Sequence, residues 1–226
     1  MSGVLLMRFN GPMQAWGTQS RFTIRDTGRE PSKSGVIGLL CCALGRHRDE
    51  PVDDLAALWM GVRVDREGVM ARDFHTALDV VKASGAKGKD AVISTRYYLA
   101  DANFLVGLEG NPALLNNIQK ALASPVWPPY LGRKSFVPAT PVYIPRGLLE
   151  KAELEQSLKN FPIRLRKGKE PEKVRAIIET DDEEAEVRND LPISFDDRLF
   201  TLRRVKTMYW ETSEIPKEEN LCISQD

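Results

Sequence analysis

Cysteine and histidine are scarce in this 226-residue chain, and long apolar runs are missing. The three cysteines, Cys41, Cys42 and Cys222, form no CxxC pair and cannot build a disulfide framework. Two histidines, His47 and His75, with no HExxH and no ligand spacing among His and Cys, leave no metal site and no cofactor to expect. No Ser-His-Asp or Cys-His arrangement can be argued, so no catalytic residue is assigned. No apolar stretch nears the roughly 20 residues that span a bilayer. Val4–Met7 is too short for a secretory h-region, and Arg8 interrupts it. Reduced thiols without an export signal lead us to expect a cytoplasmic protein. Net charge is also absent, formally zero, which argues against a nonspecific polybasic binder.

A hydrophobic fraction of 42% and a charged fraction of 28% describe a globular protein able to bury a substantial core. The zero net charge conceals an asymmetry. Residues 1–140 carry 17 Lys/Arg against 13 Asp/Glu, and residues 141–226 carry 15 against 19. A polyanion should meet the first part; the second faces a basic partner or water.

Val4–Phe9 reads as a strand buried on both faces, and Val36, Ile37, Leu40, Ala43 and Leu44 as a helix stopped by Gly45. Leu55–Asp65 runs from a helical turn into a strand, with Val69–Val80 as its partner across the turn Arg66–Gly68. Leu78–Val81 and Ala91–Tyr98 flank a small, basic segment and predict a projecting hairpin. Phe104–Glu109 is a strand and Asn111–Ser124 a helix ended by Pro125. The order is β-α-β-β-(hairpin)-β-α-β. It predicts an α+β, ferredoxin-like domain over residues 1–140 with a hairpin inserted at about 80–95, and a smaller β-rich region over 141–226. In that last third Leu148–Leu158 is helix-like; Ile163–Arg166, Val174–Glu179 and Leu199–Tyr209 look like strands; Glu170–Glu172 and Thr180–Asp190 read as acidic, solvated connections.

The stretch Gly11–Gly45, GPMQAWGTQSRFTIRDTGREPSKSGVIGLLCCALG, joins the first strand to the first helix. From Arg8 to Arg48 there are seven Lys/Arg and two acids, Asp26 and Glu30. A basic, amide-bearing, aromatic loop that feeds a helix N-terminus suits a phosphodiester backbone, because the first helical amides lack carbonyl partners. Gly28–Ser34 is not a P-loop: GxxxxGK[ST] requires Gly where Lys33 stands. Gly35 and Gly38 weaken the helix, for close packing or for close approach of a ligand. Lys82, Lys87, Lys89 and Arg96 belong either to a mobile hairpin or to a phosphate-contacting one. Trp16, Tyr97, Tyr98 and Tyr130 stand beside basic residues, as core aromatics or as platforms for unpaired bases.

Three segments, Gly11–Gly45, YYLADANFLVGLEG at Tyr97–Gly110 and YLGRKSFVPATPV at Tyr130–Val142, resemble in the same order the CasD subunits of Cascade, the type I-E CRISPR surveillance complex. The resemblance is dense over residues 1–140 and looser beyond. It implies an RRM-like RAMP domain that caps the complex and grips the 5′ handle of the CRISPR RNA. Val80–Thr95 would be its thumb. The backbone and large subunits of Cascade would be direct partners, and target DNA an indirect one, read by guide pairing. Carried over by position, the handle contacts are Gln14, Trp16, Arg25, Lys33 and Ser34, with Arg133, Lys134 and Ser135 opposite. Type I-C relatives cut repeat RNA with Tyr, Lys and His; no adjacent Lys-His pair stands in the corresponding region here. The resemblance therefore implies a noncatalytic binder. A metal-independent endoribonuclease and a purely structural assembly subunit are the alternatives.

Overall fold

The apolar opening run becomes strand β1 (Gly3–Asn10), in a computed structural model that describes residues 2–18, 23–81, 85, 91–165 and 170–218. Two short strands follow, β2 (Met13–Gln14) and β3 (Ile24–Arg25), then helix α1 (Lys33–Leu44) and a single turn, α2 (Asp53–Ala56). Next come β4 (Trp59–Arg66), β5 (Val69–Ala77), β6 (Val92–Ala100), β7 (Asn103–Gly110) and helix α3 (Pro112–Ala123). The chain closes with β8 (Tyr143–Glu150), α4 (Leu154–Asn160), β9 (Lys173–Glu179), β10 (Glu186–Ser194) and β11 (Leu199–Glu211). The architecture is mixed, with helices packed on mostly antiparallel sheets.

The larger sheet has seven strands in the order β10-β11-β9-β4-β7-β1-β8. Strand β1 sits between β7 and β8 and is buried on both faces, as its unbroken apolar run requires. On one face Leu5, Met7, Phe9, Val62, Phe104 and Val106 share a core with Val36, Ile37 and Leu40 of α1 and Leu115 and Ile118 of α3. On the other, Val4, Leu6 and Leu105 pack with Leu154 and Leu158 of α4. Helix α1 is capped by Ser32 and stopped by Gly45 at φ +76°; α3 is capped by Asn111 with Pro112 in its first turn. The smaller sheet is β2-β6-β3 with β5 on β6, and Gln14 anchors β2 beside Leu99.

Four sequence expectations change here. Strand β5 pairs with β6, from Val69↔Ala100 to Ala77↔Val92, not with β4, whose neighbours are β7 and β9. The turn at Gly68 (φ +72°) carries the chain off the large sheet onto the small one. Residues 148–158 are not one helix: Leu148 and Leu149 pair with Leu5 and Val4, Lys151 takes a positive φ, and α4 begins only at Leu154. Of the expected strand Ile163–Arg166, the described residues show a single bridge, Ile163 with Lys217. Finally, Thr180–Asp190 is not a solvated connection throughout, because β10 begins at Glu186 and Asp190 is buried. Residues beyond 140 thus supply β8 to one edge of the seven-stranded sheet and β9–β11 to the other.

Candidate nucleic-acid interface

Helix α1 presents its N-terminal half to a cleft of about 440 Å³, walled by β3, β6, the 132–133 loop and the β10–β11 turn. A second cleft of about 830 Å³ adjoins it, sharing Ser34, Gly35, Gly132 and Phe195, and extends past Arg46, His47, Arg48, Trp127, Tyr130 and Lys134. Together they form one groove along the helix.

Three arginines converge on the first cleft. β3 runs parallel to β6 with Arg25 opposite Arg96, a like-charge pairing, while Asp73 of β5 stands opposite Arg96 on its other side and Asp26 lines the same cleft. Arg133 lies over the Phe136 ring at 5.3 Å and donates from Nη2 to the Tyr97 carbonyl at 2.9 Å and the Arg25 carbonyl at 3.3 Å. Burial, then the Arg96 and Arg25 cations, hold its guanidinium below the ordinary arginine value. Among the described residues none of the three makes an ion pair. Glu30, one of two acids in the loop, is neutralised instead by Arg175 at 2.8 Å and by Arg188.

The start of α1 is already occupied. The Lys33 amide donates to Asp190 Oδ2 at 2.8 Å, and Gly35 N donates to Ser32 Oγ at 3.3 Å. Asp190 in turn accepts from Arg203 Nε at 2.6 Å and Nη2 at 3.0 Å. Burial pushes the Asp190 carboxyl up, but the Arg203 hydrogen bonds and charge prevail and hold it below the usual carboxylate range. The anion that the helix start calls for comes from the chain's own β10.

Residue composition and cleft geometry together suit a polyanion with unpaired, stackable groups, and the comparisons bear on which. A family model described as "CRISPR-associated protein (Cas_Cas5)" matches residues 4–208. The chain belongs to this Cas5 family. "CRISPR system Cascade subunit CasD" of Escherichia coli (strain K12) is 34% identical over 71% of this chain and 78% of that protein. A solved "Crystal structure of Cas protein" is 45% identical with a TM-score of 0.78, covering 95% of this chain and 98% of that one. A "CRISPR RNA-guided surveillance complex" chain is 35% identical with a TM-score of 0.80, covering 96% and 95%.

In this Cas5 chain the expected contacts divide into three groups. Arg25, Ser34, Arg96 and Arg133 line the first cleft and Lys134 the second, while Ser135 is exposed next to Lys134. Gln14, Trp16 and Lys33 lie inside the protein. Gln14 is fully buried, donating from Nε2 to the Phe9 and Ala102 carbonyls and accepting from Trp16 Nε1. The Trp16 ring is 1% exposed and stacks on Phe9 at 5.4 Å. Lys33, also 1% exposed, donates from Nζ to both Glu179 oxygens at 2.8 and 2.9 Å. All three side chains spend their polar groups inside the protein, so they shape the cleft from beneath. Lys82, Lys87 and Lys89 lie outside the described residues.

Sequence reasoning missed Phe195 and Phe200, which wall the cleft from the β10–β11 turn with ring centroids 6.5 Å apart. They flank the turn of a locally paired hairpin, but the helix α1 that they face lies far back in the sequence. The short run Ile193–Phe195 after an acidic segment gave the only signal.

Proposed function

We propose that this chain is a noncatalytic RNA-binding subunit of a type I-E Cascade complex, holding the 5′ handle of the CRISPR RNA and capping the assembly. The observation that carries this reading is the set Arg25, Arg96 and Arg133, gathered beside aromatic rings in a cleft where Asp26 is the one carboxylate among the lining residues. Mutual repulsion of that kind is relieved by a phosphate, and unpaired RNA supplies phosphates with stackable bases. The E. coli relative's description as a Cascade subunit, and that of a matching structure as an RNA-guided complex, support the same assignment. Backbone and large subunits are the protein partners, and target DNA is met through the guide.

In this reading the strand order β4-β7-β1-β8 with α1 and α3 on one face is a ferredoxin-like RAMP unit over residues 1–140, completed by β8. Residues 141–226 extend its sheet, and the β5–β6 pair is the base of a thumb. The test is handle-RNA binding across a salt series. Arg25→Ala and Arg133→Ala each weaken affinity and reduce the slope of log K against log salt by about 0.7, one phosphate contact on a single strand. Unchanged slopes in both variants would leave only an assembly role.

A second reading, a metal-independent endoribonuclease, has one observation in its favour: His47, Tyr130 and Lys134 line the same cleft. Burial raises the Tyr130 phenol further from neutrality, which disfavours it as a base. Cleavage of repeat RNA in EDTA that His47→Ala abolishes would establish this reading instead.

A further inference from the structure

We propose that the β10–β11 turn is a base-stacking wall. Phe200, backed by Phe195, takes the face of one unpaired nucleobase whose phosphate is held across the cleft by Arg25, Arg96 and Arg133. The inference rests on the RNA-binding reading and adds to it the ligand group that the apolar side of the cleft receives.

Phe200 is 39% exposed although it lines a concave site, an unfavourable place for a large ring with nothing to cover it. Its position is fixed rather than floppy. Phe195 meets it edge-on at 68°, and Arg48 Nε donates to the Phe195 carbonyl at 2.8 Å from the far side of the groove. Asp190 ties β10 to both the first amide of α1 and Arg203 of β11. An aromatic surface held from three directions loses little entropy on binding. Facing it, α1 shows glycines in place of side chains: a Cβ on Gly38 would have only Phe195 Cζ nearby, at 3.8 Å. The cleft volume of about 440 Å³ falls within the roughly 300–1,000 Å³ that holds a small organic ligand. A π-face beside three guanidinium groups, with Asp26 as the one carboxylate among the lining residues, fits a nucleotide. Paired RNA offers no free base face, so the strand at this point is single.

The experiment uses the full chain and a single-stranded RNA ending in the repeat-derived 5′ handle, with 2-aminopurine placed at each handle position in turn. One position shows fluorescence quenching on binding. Phe200→Leu, which keeps apolar bulk but removes the ring, abolishes that quenching and weakens affinity at least about fivefold, the low end for one stacked base. Phe200→Trp restores both, and the salt slope stays the same in all three proteins. Native affinity and quenching in Phe200→Leu would overturn the stacking wall while leaving the arginine reading intact. If Phe200→Leu binds RNA normally but no longer joins the other Cascade subunits, the turn docks protein and the inference is wrong. Unchanged salt slopes in Arg25→Ala and Arg133→Ala would instead remove the RNA-binding reading beneath it.

Discussion

Lys33 stands at the first position of a helix that opens on the cleft, yet its ammonium is committed to Glu179 beneath. Burial draws the Lys33 pKa down, and the Glu179 charge and hydrogen bonds partly restore it. Lys33→Ala would leave Glu179, 12% exposed, with the Met60 amide at 3.1 Å and Arg203 at 3.6 Å but without its close cation. It should cost about 3–5 kcal/mol of stability, the range for breaking a buried pair. A urea titration showing native stability would refute this. Asp190 sets an acid limit in the same network. Its pKa is lowered in the folded state, so its stabilising effect is complete above the unfolded carboxylate value, near 3.9, and fades as pH falls through the lower folded value. Asp190→Asn should therefore be less stable near neutrality and lose less on acidification than the native chain; equal acid slopes would count against the linkage. The neighbouring thiols are quiet. Burial raises Cys41 to about 11 and also raises Cys42, so both should resist alkylation near neutral pH until the protein is denatured, as peptide mass spectrometry would report.

Within α1, two glycines three residues apart answer to different neighbours. A Cβ on Gly35 would lie 2.8 Å from the buried Trp16 ring, whereas one on Gly38 meets nothing closer than 3.8 Å. Gly35→Ala should destabilise the protein despite the better helix former; Gly38→Ala should stabilise it by up to about 1 kcal/mol. Thermal melts of the pair should shift in opposite directions, and a shared sign would contradict the packing described. Of the two alternatives that the sequence left open, packing is realised at Gly35, while Gly38 faces open space in the groove. The sequence made β1, α1, β7 and α3 legible because each carries its own signal: an unbroken apolar run, a 3.6-residue stripe, a cap or a stop. What stayed hidden was partnership across the chain. Nothing local to Val69–Ala77 says that it pairs with β6 and not β4, and nothing local to Asp190 says that it lies at the start of α1. The buried roles of Gln14 and Lys33 are hidden for the same reason: their partners, Ala102 and Glu179, are 88 and 146 positions away.

Across the molecule, the basic first part and the acidic last part meet internally. Glu179 and Asp190 serve Lys33 and Arg203, and Arg175 and Arg188 serve Glu30. That internal cancellation removes Glu30 from competition with the cleft arginines and explains how a chain of zero net charge presents a positive groove. One seven-stranded sheet also takes strands from both sides of residue 140. β9 covers β4, pairing Gly61 with Ile178 and Val64 with Arg175, and β8 covers β1. A chain ending at residue 140 would expose the outer edges of β1 and β4 along with the buried Lys33. It should lack the cooperative melt of the full chain; a sharp transition in circular dichroism would show the first part to be self-sufficient.

The loop carrying Arg133 is fastened to the segment after β2. Ala15 N donates to the Leu131 carbonyl at 3.1 Å, and Gly132, at φ +87°, lies so close that a Cβ there would fall 1.7 Å from the Ala15 carbonyl oxygen. Those two walls therefore travel as one piece: no side chain fits at position 132 without parting them, so the seat of Arg133 is set by backbone and not by rotamer choice.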